Sequence, residues 1–200
     1  MHRPCAMNRM RKHGTALLPW LGLMALLAVF VPSRVTGSYV GAGRCRPCHL
    51  QQAESWKTTK MANAFDLLKP GARTAEKKSV GLDPQKDYTH DSLCLSCHTT
   101  GYNQPGGFKT IESTPQLAGV QCEMCHGAGD AYLKPSLMSL QNKEFKRETV
   151  MAAGLVIPNT GTCLNCHNDK SPFAKKSGHF NFEQRKAQGT HQHLALKYRH

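Results

Sequence analysis

The chain has 200 residues, of which 40% are hydrophobic, only 7% are aromatic and nine are cysteine. Its 26 Lys and Arg outnumber its 13 Asp and Glu, so the formal net charge is +13. This composition excludes a collagen-like chain, a disordered acidic tail and a multi-span membrane protein. A short chain with few aromatic residues needs disulfides, a metal or a cofactor to complete its core.

The N-terminal segment has the pattern of an export signal. Residues 1–14 hold four basic residues and no acidic one, Thr15–Val31 is an uncharged stretch of 17 residues, and Val35-Thr36-Gly37 follows with small residues at its exit. This order predicts a signal peptide of residues 1–37 and a mature domain of residues 38–200, exported to the periplasm. A retained membrane anchor facing the periplasm is the alternative, because 17 apolar residues are near the lower limit for a span.

Cleavage at this position lowers the net charge. Residues 38–200 hold 21 Lys and Arg against 13 Asp and Glu, a formal +8. A strong basic excess favours nucleic acid or an anionic surface as partner. An exported protein does not normally meet DNA, so no nucleic-acid partner is expected, and membrane contact is expected only if the N-terminal segment is retained.

Leu50–Leu68 is the first predicted helix of the mature chain. Its residues are mostly good helix formers, and Pro70-Gly71 closes the pattern. Four apolar residues fall on one helical face, at i, i+3, i+4 and i+7: Met61, Ala64, Phe65 and Leu68.

The rest of the mature chain combines loops with two further predicted helices. Thr99–Gly107 is rich in Gly and is predicted to form turns. Leu137–Gly154 is predicted as a helix, and Phe182–Tyr198 as a short C-terminal helix of weak periodicity, interrupted at Gly189. Strand signals are few. The expected fold class is mainly α with extensive irregular loops.

Eight cysteines of the mature chain fall into four C-x-x-C pairs, and a histidine follows each pair directly. The cysteines are Cys45, Cys48, Cys94, Cys97, Cys122, Cys125, Cys163 and Cys166, and the histidines are His49, His98, His126 and His167. C-x-x-C-H is the attachment motif of c-type haem. The two thiols form thioethers with the two vinyl groups of one porphyrin, and the histidine is placed to bind the iron as the proximal ligand.

Three other interpretations of the cysteine pairs are less satisfactory. Zinc ribbons use C-x-x-C but do not require the histidine. Thioredoxin-like redox motifs need a βαβ pattern that this sequence lacks. A disulfide framework gives no reason for a histidine after every pair. Four covalent haem c groups are therefore predicted. They would supply the missing core, and their roughly eight propionates would offset most of the +8.

Stretches outside the four motifs resemble the cytochrome c-554 family, tetrahaem cytochromes of ammonia-oxidising bacteria. The matching stretches are Ser55-Trp56-Lys57, Leu68-Lys69-Pro70, Leu82-Asp83-Pro84, Lys86-Asp87-Tyr88-Thr89, Ile111-Glu112-Ser113, Gly119-Val120, Cys122-Glu123, Cys125-His126-Gly127 and Gly129. The resemblance implies a mainly helical fold wrapped around stacked and perpendicular haem pairs. It also implies a carrier that accepts electrons from hydroxylamine oxidoreductase and passes them towards a smaller cytochrome.

The same resemblance implies distal ligands for three of the four haems and an open second haem. The distal ligand of the fourth haem matches His191, with His193 as a substitute. The alternative for both histidines is a surface position in a polar tail. The distal histidine of the third haem is matched here by Met61, whose thioether can replace imidazole on haem iron. The alternative for Met61 is a core position on an apolar helical face.

For the first and second haems this sequence departs from the family pattern. Ser136 stands where the family has the distal ligand of the first haem. Met138, two residues later, is a candidate ligand, and the alternative for Met138 is a core position. The loop that covers the open haem in the family is shortened here around Ser171-Pro172-Phe173. The open coordination site of the haem at His98 is therefore a feature in which this chain departs from the family pattern. His90 is expected to face a propionate or solvent.

Three functions fit these features. The leading hypothesis is an electron carrier between redox-partner proteins, in which the chain binds and tunes the haems. The second is a small haem enzyme that acts on a nitrogen compound at a five-coordinate iron. The third is a subunit of an extracellular haem filament.

Overall fold

The computed structural model describes residues 37–177 and 180–195, with the side chains of residues 175–177 excepted. The predicted export signal therefore lies outside the described residues, apart from Gly37. The described helices are α1 Leu50–Lys57, α2 Thr74–Ser79, α3 Ser92–His98, α4 Cys122–His126, α5 Arg147–Ala152, α6 Thr160–Leu164, α7 Pro172–Ser177 and α8 Phe182–Gly189. Short 3-10 helices span Ala42–Arg44, Phe65–Leu68, Pro115–Leu117 and Gly129–Ala131. The mainly helical class with long irregular loops is confirmed.

The β structure of the described residues is a single isolated bridge between Thr99 and Ala118. This agrees with the few strand signals in the sequence. Among the same residues, no helix combines the length and the apolar character that a membrane span requires.

The first predicted helix is much shorter than expected. α1 ends at Lys57, turns follow, and the chain resumes as the 3-10 helix Phe65–Leu68. The hydroxyls of Thr58 and Thr59 donate to the carbonyls of Ser55 and Trp56, at 2.8 and 2.7 Å. Such bonds satisfy the last carbonyls of a helix and compete with its continuation. Met61 therefore lies in a turn, and the helical face predicted around it does not form.

The predicted helix Leu137–Gly154 is also largely absent. Only its last part is helical, as α5, and the preceding residues form turns and bends. Ser139 Oγ donates to the Pro135 carbonyl at 2.8 Å and accepts from the backbone N–H groups of Gln141 and Asn142. Local side-chain bonds of this kind offer the backbone an alternative to a helix, which explains the wrong prediction.

Two further predictions are confirmed in outline. Residues 99–107 form bends and turns, as their glycines indicate. The C-terminal helix forms as α8 and ends at Gly189, and residues 190–195 are not helical. The final residues of the predicted helix, from 196 onwards, lie outside the described part of the chain.

The polypeptide core is small and packs behind the second cysteine motif. Its members are Phe65, Leu68, Tyr88, Leu95, Phe108 and Leu117. Leu95 lies inside the motif, between Cys94 and Cys97, and the rings of Phe65 and Phe108 are 5.6 Å apart. The core therefore supports the second attachment site. A cofactor would supply the remaining interior of the domain.

Candidate haem-binding site

All four C-x-x-C-H motifs adopt one tight turn. The second motif lies in α3 and the third forms α4. In the first and fourth motifs, the histidine N–H donates to the carbonyl of the first cysteine, from His49 to Cys45 at 3.0 Å and from His167 to Cys163 at 2.9 Å. A helical turn brings residues i, i+3 and i+4 onto one face. Each motif therefore presents two thiols and one imidazole together, as covalent haem attachment requires.

Two of these turns begin at polar caps. Asp91 Oδ1 accepts from the N–H groups of Leu93 and Cys94 at the start of α3, at 2.9 and 3.3 Å. Asn159 and Thr162 form a reciprocal capping box at the start of α6, with both bonds at 3.2 Å. Each cap satisfies helix N–H groups that have no partner within the helix and fixes where the turn begins.

None of the eight motif cysteines is paired in a disulfide. The side chains of Cys45 and Cys122 lie next to each other, and their interaction lowers the pKa of Cys122 and raises that of Cys45. The side chains of Cys97 and Cys166 are neighbours in the same way, and their interaction lowers the pKa of Cys97 and raises that of Cys166. The first motif therefore touches the third, and the second touches the fourth.

The thiol of Cys125 joins these two pairs of motifs. Burial raises the pKa of Cys125 to about 11, and the nearby Cys163 adds to the shift. The third and fourth motifs are thus neighbours as well. Four attachment sites in such proximity fit four porphyrins held close to one another. Within residues 37–177 and 180–195, no three His, Cys, Asp or Glu side chains group closely enough to hold a bare metal ion.

Two motif histidines are held by backbone carbonyls that the sequence did not identify. His98 Nδ1 lies 2.6 Å from the Ala64 carbonyl oxygen, and His126 Nδ1 lies 3.2 Å from that of Val156. An imidazole that donates through Nδ1–H presents its Nε2 lone pair to a metal, and such outer partners fix the ring's orientation. Burial also lowers the pKa of His126 and of His49, which favours the neutral form that binds iron.

The fourth motif histidine has an aromatic neighbour. The rings of His167 and Phe180 stack with centroids 4.5 Å apart. Phe180 was not identified from the sequence, because it lies outside any periodic pattern and 13 residues after its partner. The residues present therefore suit haem: each motif pairs two thiols with an imidazole, and a backbone carbonyl or an aromatic ring supports the imidazoles of His98, His126 and His167.

His191 lies beside the third motif. Its ring centroid is 6.3 Å from that of His126, with the two planes inclined by 28°. His191 Nδ1 hydrogen-bonds the Gln192 carbonyl at 2.8 Å, and the Gln192 N–H donates to Ser55 Oγ in α1, also at 2.8 Å. This contact with α1 fixes the C-terminal segment where the His191 ring faces His126.

The other candidate ligands are less closely associated with a motif histidine. His193 is exposed, and its Nε2 lies 2.9 Å from the Thr190 hydroxyl. Met61 is half-buried, and its carbonyl accepts from Val120 N–H, two residues before the third motif, at 2.9 Å. Met138 is half-buried near Tyr132, and His90 is exposed. Coordination by Met61 and Met138 stays a prediction.

A buried carboxylate within the third motif is the main structural residue that sequence reasoning missed. Glu123 is 1% exposed and accepts hydrogen bonds from the N–H groups of Val40, Gly41 and Gly129, at 2.7 to 3.1 Å. It occupies one of the two variable positions of C-x-x-C-H, which the motif leaves undefined. Glu123 ties the segment that leads into the first motif to the third motif.

Comparison with known proteins agrees with this geometry. The model of a family described as cytochrome c554 and c-prime matches residues 44–127. Cytochrome c-554 of Nitrosomonas europaea is 49% identical over 92 residues, which are 46% of this chain and 39% of that protein. The structure of reduced cytochrome c554 from the same organism matches with a TM-score of 0.70 at 30% identity, over 82% of this chain and 89% of that one. The chain belongs to the cytochrome c554 family.

Family membership makes the chain a multihaem c-type cytochrome, with covalent haem c as its cofactor. The aligned segment of the curated relative spans less than half of that protein's length. Identity to the family is concentrated there, because it falls from 49% to 30% when the comparison extends to most of the chain. The family-model match covers the first three motifs and ends at Gly127, one residue after His126.

Proposed function

We propose that this member of the cytochrome c554 family is an exported electron carrier that moves electrons between redox-partner proteins. The observation that carries the proposal is the contact between attachment sites. Thiols of the first and third motifs touch, as do those of the second and fourth, and Cys125 lies near Cys163. Closely spaced redox centres suit a carrier in which an electron moves from one haem to the next through the protein.

Haem, when bound, supplies one-electron chemistry between ferric and ferrous iron. The chain's own residues hold and tune it. The carbonyls of Ala64 and Val156 orient two motif histidines and increase their basicity. The buried Glu123 fixes the segment before the first motif against the third. Rigid support of this kind keeps ligand geometry constant between oxidation states.

The proposed partners are an oxidoreductase that donates electrons and a cytochrome that accepts them, both met in the periplasm. Support for them comes from the family, since the solved relative is described as a reduced-state cytochrome c554. Interfaces of such carriers are small and transient, so recognition is expected to depend on surface charge more than on a deep pocket.

His191 is the residue that we propose would hold the third haem iron together with His126. Two imidazoles that share one metal place their ring centroids about 6 Å apart, since each metal–nitrogen bond is about 2.0 Å and each centroid lies about 1.1 Å beyond the nitrogen. The observed separation is 6.3 Å. The family register instead implies that His191 binds the fourth haem. It also implies that Met61 binds the third haem, so His191 and Met61 are alternative ligands of the third iron.

A redox titration with a stopped-flow experiment tests the carrier function. We expect four one-electron equivalents per chain and rapid reoxidation of the reduced protein by a soluble c-type cytochrome. A double variant, Cys163→Ala with Cys166→Ala, is the control, because it removes one attachment site and should remove one equivalent. Slow transfer to every cytochrome, combined with turnover of nitric oxide or hydroxylamine, would favour the haem enzyme instead.

A further inference from the structure

The segment Ser38–Ala42, here called the N-terminal strap, is fastened by side chains that flank the third motif. Ser38 N–H donates to Asp130 Oδ1 at 2.6 Å, Glu123 accepts from the middle of the strap, and Ala42 N–H donates to Gln121 Oε1 at 2.7 Å. The Asp130 N–H also donates to the Ser38 carbonyl at 3.3 Å. The strap is therefore held along its whole length, and its first bond is to a carboxylate.

That first bond lies at the cleavage position predicted from the sequence. Hydrolysis of the Gly37–Ser38 amide by a signal peptidase adds one water: Gly37 leaves with the leader as a carboxylate, and Ser38 keeps the nitrogen as an amine. An α-amino group has an ordinary pKa of about 7.7–8.0, so it is mostly an ammonium at neutral pH. The Ser38 nitrogen then carries a positive charge where the amide carried none.

We propose that Asp130 is the binding site for the Ser38 α-ammonium that cleavage creates, and that this ion pair fastens the N-terminal strap to the third haem motif. A charged donor on a carboxylate is shorter and stronger than a neutral amide bond in the same geometry. The Ala128 carbonyl, which lies beside Gly37, offers a second acceptor to the extra N–H groups.

Packing around Gly37 and Ser38 supports a close fit. A Cβ at Gly37 would lie 2.7 Å from Asp130 Oδ1 and 2.9 Å from the Ala128 oxygen. On the other side, a Cβ at Gly106, whose φ is +68°, would overlap Ser38 Oγ. Gly37 therefore lies against the Asp130 loop and Ser38 against the Gly106 loop, although both residues remain partly exposed.

The titratable groups at the strap contacts named here are two carboxylates and one phenol. Glu123 accepts from Val40 and Gly41 within the strap, and burial raises the pKa of Tyr39, so this phenol is neutral at pH 7. The Ser38 ammonium would thus be the positive charge of a site that already holds two carboxylates, Asp130 and Glu123. Cleavage improves the charge balance of the strap contact.

Chemical labelling of the exported holoprotein tests the proposal. N-terminal sequencing should first give Ser38 as the initial residue. At pH 7 an acylating ester should then label this amine about threefold to fivefold more slowly in the wild type than in Asp130→Asn, because the ion pair keeps the amine protonated. Asp66→Asn is the matched control, since Asp66 pairs with Lys69 on an exposed surface, and its labelling rate should equal that of the wild type.

A second protein guards against misfolding of the Asp130 variant. A chain that retains Gly37 as its first residue leaves Asp130 intact but moves the amine by one residue, and its amine should also label faster. The proposal is overturned if the mature chain begins elsewhere or keeps its leader. It is equally overturned if the wild type, Asp130→Asn and the Gly37-initiated chain label at the same rate.

Discussion

The sixth position on the third iron has two candidate residues, His191 and Met61, and their variants should behave differently. His191→Ala removes the ring that lies 6.3 Å from His126 and should add one high-spin haem to the number seen in the EPR spectrum of the oxidised wild type. His193→Ala is the matched control, because its Nε2 is bonded to Thr190, and it should leave the spectrum unchanged.

Met61→Ala should likewise leave the number of high-spin haems unchanged if His191 holds that position. A new high-spin signal in Met61→Ala alone would reverse the assignment and establish the thioether ligand. The two ligand sets also differ in redox potential, because Met/His ligation raises the potential relative to bis-His. Restoration of a histidine by Met61→His would then lower one potential of the wild type.

Glu123 is the second residue whose removal should have a large effect. Glu123→Gln keeps the size of the side chain but turns an acceptor oxygen into an amide donor that faces backbone N–H groups. We expect a loss of about 2–3 kcal/mol in the free energy of unfolding, because a buried charged hydrogen bond is lost and a donor is left unpaired. Denaturant unfolding followed by far-UV circular dichroism measures it.

Glu148→Gln is the control for this variant, since Glu148 is exposed at the start of α5. Its unfolding midpoint should stay close to that of the wild type. Equal midpoints for both variants would mean that the Glu123 contacts do not hold the strap. A lowered unfolding midpoint for Glu123→Gln alone would confirm that Glu123, inside the third motif, holds the segment that leads into the first motif.

At the scale of elements, the chain crosses itself closely just before the third motif. Val120 N–H donates to the Met61 carbonyl at 2.9 Å, and Trp56 Nε1 donates to the Val120 carbonyl at the same distance. Gly119, with φ +81°, makes this approach, and a Cβ there would overlap the Ala62 carbonyl oxygen. The turn after α1 and the approach to α4 are therefore locked to each other.

Gly119→Ala should destabilise the fold by about 3 kcal/mol, from left-handed strain and displacement of the Ala62 backbone. Gly43→Ala is a control within a 3-10 helix, where a Cβ meets open space. Thermal unfolding of the two variants should separate them by many degrees. Similar melting temperatures would show that the backbone at Gly119 and Ala62 can move apart without a loss of stability.

The sequence is most informative where chemistry demands fixed spacing. The C-x-x-C-H motifs could be found because two thioethers and an iron ligand need a single helical turn. The helix ends could not be predicted by periodicity, because Thr58, Thr59 and Ser139 end or replace helices through hydrogen bonds to their own backbone. A residue-type pattern does not show whether a hydroxyl will turn towards a carbonyl or towards water.

The supports of the motif histidines could not be predicted for a different reason. Ala64 and Val156 act through backbone carbonyls, which every residue possesses, so no side-chain signal marks them. His191 was identified as a ligand from the family register, but the choice of its iron depends on how the C-terminal segment packs on α1. That packing includes a bond from Gln192 to Ser55, across 137 positions of sequence.

At the scale of the whole molecule, the balance of charge leads to a prediction about partner recognition. Residues 38–200 carry a formal +8, and roughly eight haem propionates would bring the total near zero. The basic side chains are largely on the surface, whereas the propionates are fixed at the haem edges. A protein of small net charge can therefore still present local positive surface to an acidic partner.

Electron transfer to a partner cytochrome should consequently slow as salt is added, but only modestly. The Debye length, beyond which exposed charges are largely screened, is about 30 Å at 0.01 M ionic strength and about 10 Å at 0.1 M. We expect the second-order rate constant to fall by about tenfold across this range, well short of the largest effects seen for strongly steered pairs. Stopped-flow mixing of the reduced protein with an oxidised acceptor cytochrome gives the rate constant directly.

Reduction of the same protein by a small uncharged reductant is the control, because it has no charge to screen and should proceed at one rate at every salt concentration. A partner rate that is equally insensitive to salt would point to an apolar interface. Combined with a solution mass above that of a single chain, such insensitivity would favour the filament over the diffusing carrier. A steep fall in rate with a monomeric mass would instead mean that the propionates leave more of the basic surface unbalanced than the formal charges indicate.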